Sequence, residues 1–168
     1  MPMPEVLKQY QLFIDGVGYA GKVDEVTPPK LTLVTDEHRA GGMDAGIDID
    51  MGIEKPTLGF VMSEYNADVT KQFGIIRNGD LQFTLRGAMQ RDGGEVVPIV
   101  IKGRGIITEI DDGTYKVTEK TQMKVAMSLR YYKREQGGVT LIEIDVENMI
   151  RIIDGVDQLA GQRAAIGL

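Results

Sequence analysis

Apolar and polar residues alternate with a period of two through most of the chain, and that pattern commits it to β-sheet. The clearest run sets Met123, Val125, Met127, Leu129 and Tyr131 against Lys124, Ala126, Ser128, Arg130 and Tyr132. Similar alternation places Tyr10, Leu12 and Ile14 together, then Leu31, Leu33 and Thr35, then Ile47, Ile49, Met51 and Ile53. Leu58, Phe60 and Met62 follow, then Leu81, Phe83 and Leu85. Val97, Ile99 and Ile101 lead through Gly103-Arg104-Gly105 to Ile106, Thr108 and Ile110, and Leu141, Ile142 and Ile144 close the set. Each run predicts a strand with one buried and one wet face.

Glycine punctuates these runs. There are 21 glycines in 168 residues, about twice the usual ~7%, and most fall where alternation stops. The Gly pairs in Arg91–Val96 and Arg134–Val139 permit the positive φ of tight hairpin turns, so the strands beside them should be antiparallel neighbours. Helix signals are few. Asn66 can cap a short helix that stops near Gly74. The tail holds helix formers from Val156 to Ala165, interrupted by Gly161. Strands do not alternate with long helices, which excludes a βαβ sheet. The expected fold is mainly β: an antiparallel β-sandwich or barrel with one or two short helices, in a single domain over residues 1–168. No internal repeat or linker is expected. The segment from about 36 to 56 is long and Gly-rich, and is expected to protrude as a loop or hairpin.

Few residues are equipped for chemistry. Gly16-Val-Gly18-Tyr-Ala-Gly21 matches the G-x-G-x-x-G dinucleotide pattern, but such a loop must open a helix whose N-terminus meets the pyrophosphate. Here Pro28-Pro29 follow within a few residues, so the stretch reads as a hairpin with Gly16 or Gly18 at positive φ. The chain has no Cys, one His (His38) and two Ser (Ser63, Ser128). A nucleophile–base pair would need His38, in the most loop-like stretch, to reach one of those serines. Asp48-Ile-Asp50 lacks the further oxygen donors of a calcium loop, since residues 52 and 59 are Gly. No cofactor or metal is expected, nor an enzyme; a small acidic β-barrel enzyme or ligand-binding module is the rival reading. The net charge of -6 is unlike the basic face of a nucleic-acid binder. Between Asp36 and Glu54, six acids against one Arg sum to -5. No apolar run reaches the ~20 residues of a membrane helix, and the opening residues do not read as a signal peptide. Met123 and Met127 are expected in the core, whereas Met43, Met51 and Met149 suit a packing surface between copies.

Two longer motifs, His38–Gly52 (HRAGGMDAGIDIDMG) and Ile152–Leu168 (IIDGVDQLAGQRAAIGL), carry a resemblance that runs end to end. LFIDG near the start, PPKL at Pro28–Leu31, and the YYK and EID runs between Tyr131 and Asp145 share in it. The chain resembles the major tail tube proteins of contractile-tailed bacteriophages, and equally the inner tube proteins of R-type pyocins. The resemblance implies a closed or nearly closed barrel flanked by a helix, built into hexameric rings that stack into a hollow tube in the virion tail. It implies as partners further copies of the chain, the tail sheath protein, the tape measure protein, and baseplate and tail terminator proteins. DNA would pass through the lumen without specific binding; in a pyocin-like particle the tube would breach an envelope. On that footing Arg39, Gly41, Gly42, Met43, Asp44, Ile49 and Met51 are expected at contacts between subunits or rings. Leu159 and Ile166 are the expected apolar anchors of the tail segment, with Arg163 as an ion-pair donor. Asp48 and Asp50 are expected to face the lumen, where they would repel phosphates.

Overall fold

The computed structural model describes residues 1, 3–75 and 79–168. Its strands are β1 (Val6–Ile14), β2 (Val17–Gly18), β3 (Val23–Thr27), β4 (Leu33–His38), β5 (Ile47–Ile53) and β6 (Thr57–Met62), then β7 (Leu81–Gln90), β8 (Val96–Asp111), β9 (Met123–Gln136), β10 (Val139–Asp145), β11 (Ile150–Ile153) and β12 (Val156–Asp157). Two short helices, α1 (Ala67–Thr70) and α2 (Ala160–Ala165), complete the described elements. The main sheet runs β12-β11-β10-β9-β8-β7-β1-β2, with β6 also paired to β9 and β3 to β6; β4 and β5 form a separate two-stranded ribbon. Every strand pairing is antiparallel. The hairpins at Gly93-Gly94 and Gly137-Gly138 join β7 to β8 and β9 to β10, with Gly93, Gly137 and Gly138 all at positive φ.

Strand β9 serves two partners in succession on one edge. Its first half, Met123–Ser128, pairs with β6; its second half, Tyr131–Gln136, pairs with β10, while β8 runs along the other edge throughout. The first half belongs to a barrel that β3, β6, β9, β8, β7 and β1 wrap. Tyr10 Oη donates to the Asp24 carbonyl at 2.5 Å where β1 meets β3. The second half continues into the open sheet of β10, β11 and β12. At the change of partner β9 bulges: Arg104 faces Tyr131 but Gly105 faces Leu129, leaving Arg130 unmatched. One extra residue turns every later side chain to the opposite face. Tyr132 is therefore buried, 1% exposed, and Tyr131 lies on the outer face. The unbroken alternation had assigned Tyr131 to the core and Tyr132 to solvent, and the bulge corrects both.

The glycines of β8 correct a second expectation. Gly103 and Gly105 lie on the core-facing side of a single 16-residue strand, so the buried face passes to Ile107 and not to Ile106 and Thr108. A Cβ on Gly103 would meet the Phe83 ring, and one on Gly105 would meet the Ser128 carbonyl. The alternation continues in phase through them, so Ile107 is buried and Ile106 only half-buried.

Inside the barrel, Leu12, Ile14, Leu58, Phe60, Met62, Phe83, Met123, Val125, Met127 and Leu129 make one cluster. Helix α1 closes it with Val69, which is fully buried. Asn66 Oδ1 caps that helix by accepting from the amides of Asp68 and Val69, both at 3.1 Å. The tail is shorter in helix than expected. Asp154 and Gly155, at φ 49° and 78°, turn the chain back so that Val156–Asp157 form β12, and α2 begins only at Ala160. The same Ile-Asp-Gly-Val tetrapeptide occurs at Ile14–Val17, where Asp15 and Gly16 also take positive φ (51° and 81°). Both ends of the main sheet thus finish in the same tight hairpin, a short repeat that the search for longer periods passes over.

Replacing Gly105 with Ala should force the Ser128 carbonyl away and disturb the bulge. The expected loss is about 1–3 kcal/mol, read as a lower urea midpoint with an unchanged slope.

Candidate assembly surfaces

The ribbon of β4 and β5 stands apart from the barrel. All six residues of β4 and the first five of β5 are exposed. The sequence pattern had predicted one buried face through Ile47, Ile49, Met51 and Ile53, and only Ile53 packs on the core, and that partly. Cross-strand register explains what each face carries. Thr35 pairs with Asp50 and Glu37 with Asp48; Asp36 pairs with Ile49 and His38 with Ile47. Side chains of paired residues share a face. One face therefore bears Thr35, Glu37, Asp48 and Asp50, and the other bears Asp36 and His38 with Ile47, Ile49 and Met51, the last three being 54%, 45% and 61% exposed. Like charges directly opposite each other, as Glu37 and Asp48 are, destabilise a strand pair.

At the tip, Arg39 donates to the Asp44 carbonyl at 3.2 Å and the Met43 amide to the Ala40 carbonyl at 3.2 Å. Gly42 supplies the positive φ (89°) of this turn, and no atom lies within 4 Å of where a Cβ would sit on Gly41 or Gly42. Arg39, Gly41, Gly42, Met43 and Asp44 thus gather at one end of the ribbon, with Ile49 and Met51 along its apolar face.

The base of the ribbon is braced by one ion pair. Arg151, from β11, donates to Asp50 Oδ2 at 2.6 Å, and the Gly52 amide donates to Asp50 Oδ1 at 2.7 Å. Those two bonds, the Arg151 one first, hold the Asp50 carboxyl below the usual carboxylate range. The pair stands between two apolar grooves. One, of about 510 Å³, is lined by Leu31, Leu33, Ile53, Ile142 and Ile153; the other by Met51, Met149, Ile150 and Leu159. Asp50 thus has its charge matched inside its own chain, whereas no ion pair among the described residues reaches Asp48.

The tail segment is anchored internally. Arg163 donates to Asp157 Oδ2 at 2.7 Å and to the Met149 carbonyl at 2.9 Å. The Arg163 bond, followed by the Leu159 amide, holds the Asp157 carboxyl low. Helix α2 buries no residue, and Ile166 is 65% exposed. Leu159 is half-buried in the second groove.

The outer face of the main sheet carries a charge network that the sequence did not single out. Arg104 lies 3.9 Å from Asp80 and 3.8 Å from Asp145, with its guanidinium 5.6 Å from the Tyr131 ring centre. Arg130 reaches Asp80 and Glu147. Burial, then the hydrogen bond to Glu143, holds the Tyr131 phenol well above its ordinary range. These residues meet only because the bulge at Arg130 brings Tyr131 to this face, which no fixed period in the sequence encodes. Among the described residues, no group of three His, Cys, Asp or Glu side chains is placed to hold a metal.

A small antiparallel barrel with a ribbon bare on both faces is the kind of fold found among contractile injection systems. A chain from the sheath–tube complex of an extracellular contractile injection system (PVC, extended state) superposes with a TM-score of 0.59. The match is 9% identical and covers 79% of this chain and 91% of that one, a likeness of fold. The chain belongs to the phage tail tube protein FII family, whose model matches residues 4–167. It is 33% identical to the tail tube protein of Escherichia phage P2 over 172 residues, covering both chains in full. It is 32% identical to the major tail tube protein of Serratia phage KSP20 over 163 residues, covering 92% of this chain and 91% of that one. It is a structural subunit of the inner tube of a contractile phage tail or tail-like particle, and so a component of the virion tail.

Because Asp50 is lowered by Arg151, its contribution to holding the ribbon is complete above the ordinary carboxylate pKa of about 4 and is lost as pH falls through the folded value. An NMR titration should find Asp50 titrating below the ordinary carboxylate range. In Arg151→Ala it should rise toward that ordinary range, and ribbon amides at pH 7 should exchange faster while barrel amides do not.

Proposed function

We propose that copies of this chain close into hexameric rings that stack into a hollow tube. The observation that carries this is the ribbon: a two-stranded sheet with three apolar side chains bare on one face and the acids Glu37, Asp48 and Asp50 on the other, of which only Asp50 is matched, by Arg151. Isolated two-stranded sheets are marginal in water, and exposed strand edges are templates for pairing with another chain. A neighbouring copy supplies both the apolar cover and the missing strand partners. The residues of the tip and apolar face, Arg39 to Asp44 with Ile49 and Met51, then lie at contacts between subunits or rings. Leu159 and Ile166 extend that contact from the tail segment; Arg163 keeps its own chain's tail in place.

The tube so formed has an outside for the sheath and ends for the baseplate and tail terminator. Its lumen is occupied first by a tape measure protein and then traversed by DNA, or in a headless particle serves envelope penetration. The ribbon's acidic face supports a wall that repels phosphates. Asp48 is its better candidate, since Asp50 is matched by Arg151.

Negative-stain microscopy of concentrated protein should show stacked rings; a monomer at every concentration would overturn the reading. Asp48→Lys should leave tubes intact and slow DNA ejection, and an unchanged ejection rate removes Asp48 from the wall. Truncation after Gly155 deletes β12 and α2 but no buried residue, so it should yield a folded barrel. If that barrel still polymerises normally, the tail segment is not an assembly contact.

A further inference from the structure

Among the described residues the main sheet has two edges that lack a hydrogen-bonded strand along most of their length, the outer edge of β1 and that of β3, and they approach each other where Tyr10 Oη reaches the Asp24 carbonyl. Strand β1 pairs with β7 along its length, but its other edge meets β2 only at Phe13 and Ile14. The Leu12 carbonyl accepts from the Tyr19 amide. From Val6 to Gln11 no backbone bond is made on that side among the described residues. Val6 to Tyr10 are exposed on both faces. Natural edge strands are usually blunted by prolines, charges or covering loops; this stretch, VLKQYQ, has one lysine and no proline.

The opposite margin of the sheet is closed. Strand β12 covers Ile152 and Ile153, the Gln158 amide bonds the Arg151 carbonyl, and the Asp154 amide bonds the Leu141 carbonyl. Among the described residues the other strands longer than two residues with an open edge are β3, five residues that meet β1 at Tyr10, and those of the ribbon, six residues in β4 and seven in β5, against six on the free stretch of β1. Charge points the same way. The ribbon segment Asp36–Glu54 carries -5. The β1 edge carries no acid between Val6 and Gln11, and brings Lys8 with Arg86 beside it, opposite Gln11. Among the described residues neither Lys8 nor Arg86 has an ion-pair partner.

We infer that the free edge of β1 in one copy, Val6–Gln11, takes up the β4–β5 ribbon of another copy as added strands, with Lys8 and Arg86 facing its acids. This rests on the reading of the ribbon as a contact between copies, and names the surface that receives it. The two surfaces differ, so the contact is head-to-tail and leads to rings or stacks rather than to a closed two-fold dimer. It places Leu7 and Tyr10, which share one face of β1, against Ile47, Ile49 and Met51, and leaves Val6 on the Arg86 face.

The chain has no cysteine, so introduced thiols are unambiguous. One tagged copy carries Gln9→Cys or Gln11→Cys; a differently tagged copy carries Thr35→Cys, Asp36→Cys, Asp48→Cys or Ile49→Cys, which sample both ribbon strands and both faces. Circular dichroism confirms that each variant is folded. Mixed at tube-forming concentration and mildly oxidised, at least one pairing should give a disulfide-linked heterodimer, with none after dilution below assembly. In the unsubstituted chain, amides within Val6–Gln11 should exchange at least tenfold more slowly in tubes than in monomers. Lys8→Glu should raise the concentration needed for assembly, and Lys8→Arg should not. If tubes form and the ribbon amides slow while Val6–Gln11 exchange as in the monomer and no pairing cross-links, this inference fails and the ring reading stands. If no tubes form at any concentration, the ring reading fails and this inference with it.

Discussion

The close approach of Gly105 to the Ser128 carbonyl is the constraint from which the remaining architecture follows. Strand β9 must leave one partner and take another without leaving β8. It does so by inserting Arg130, and the insertion is possible only because β8 presents a residue without a side chain at that point. Before the bulge the sheet curls round a core of Met, Leu and Phe; beyond it the sheet opens toward β10 and β11. Gly103, one position away along the same face, lets the edge of the Phe83 ring occupy the place of a side chain, so the barrel wall is filled from β7 where β8 has nothing to offer. The outer face is set by the same event, since Tyr131, Arg104 and Asp145 converge only after the register has shifted.

Charge divides the molecule as sharply as packing does. The barrel and sheet carry mixed charges that largely satisfy one another, as Arg104 and Arg130 do with Asp80, Asp145 and Glu147. Nearly all of the net negative charge resides in the ribbon. Exposed ion pairs contribute at most about 1 kcal/mol each, so Asp50 with Arg151 orients the ribbon more than it stabilises the barrel. An acid pair such as Glu37 and Asp48 costs the isolated chain stability, and this is compatible with a segment whose favourable contacts lie outside its own subunit.

Much of this was legible in the residues themselves. Period-two patterning located the strands, the Gly pairs located two hairpins, and Asn66 located the cap of α1, because each depends on local geometry. The class of fold follows from the near absence of helix signals. What was not legible depends on events between distant segments. The bulge at Arg130 exchanged Tyr131 for Tyr132, and the glycines of β8 looked like punctuation because Phe83 and Ser128 are far away in sequence. In β5 the alternation was real but its apolar face is bare, for a pattern reports that a face will be covered and not by which chain. The brace between Asp50 and Arg151 spans 101 positions, and neither residue has a neighbour in sequence that announces it. The tail helix was overextended because its helix formers were counted from Val156, whereas the hairpin at Asp154-Gly155 folds Val156–Asp157 back as β12.

The repeated Ile-Asp-Gly-Val hairpins have one further consequence. Each ends in a strand of two residues, β2 at one margin and β12 at the other, and each stub occupies the last backbone sites of its edge. A strand that slides along β1 toward Ile14 must halt where Val17 and Gly18 already sit. For the strand addition proposed above, the stub would be a depth stop, set by covalent connection, on how far an incoming strand can travel along β1.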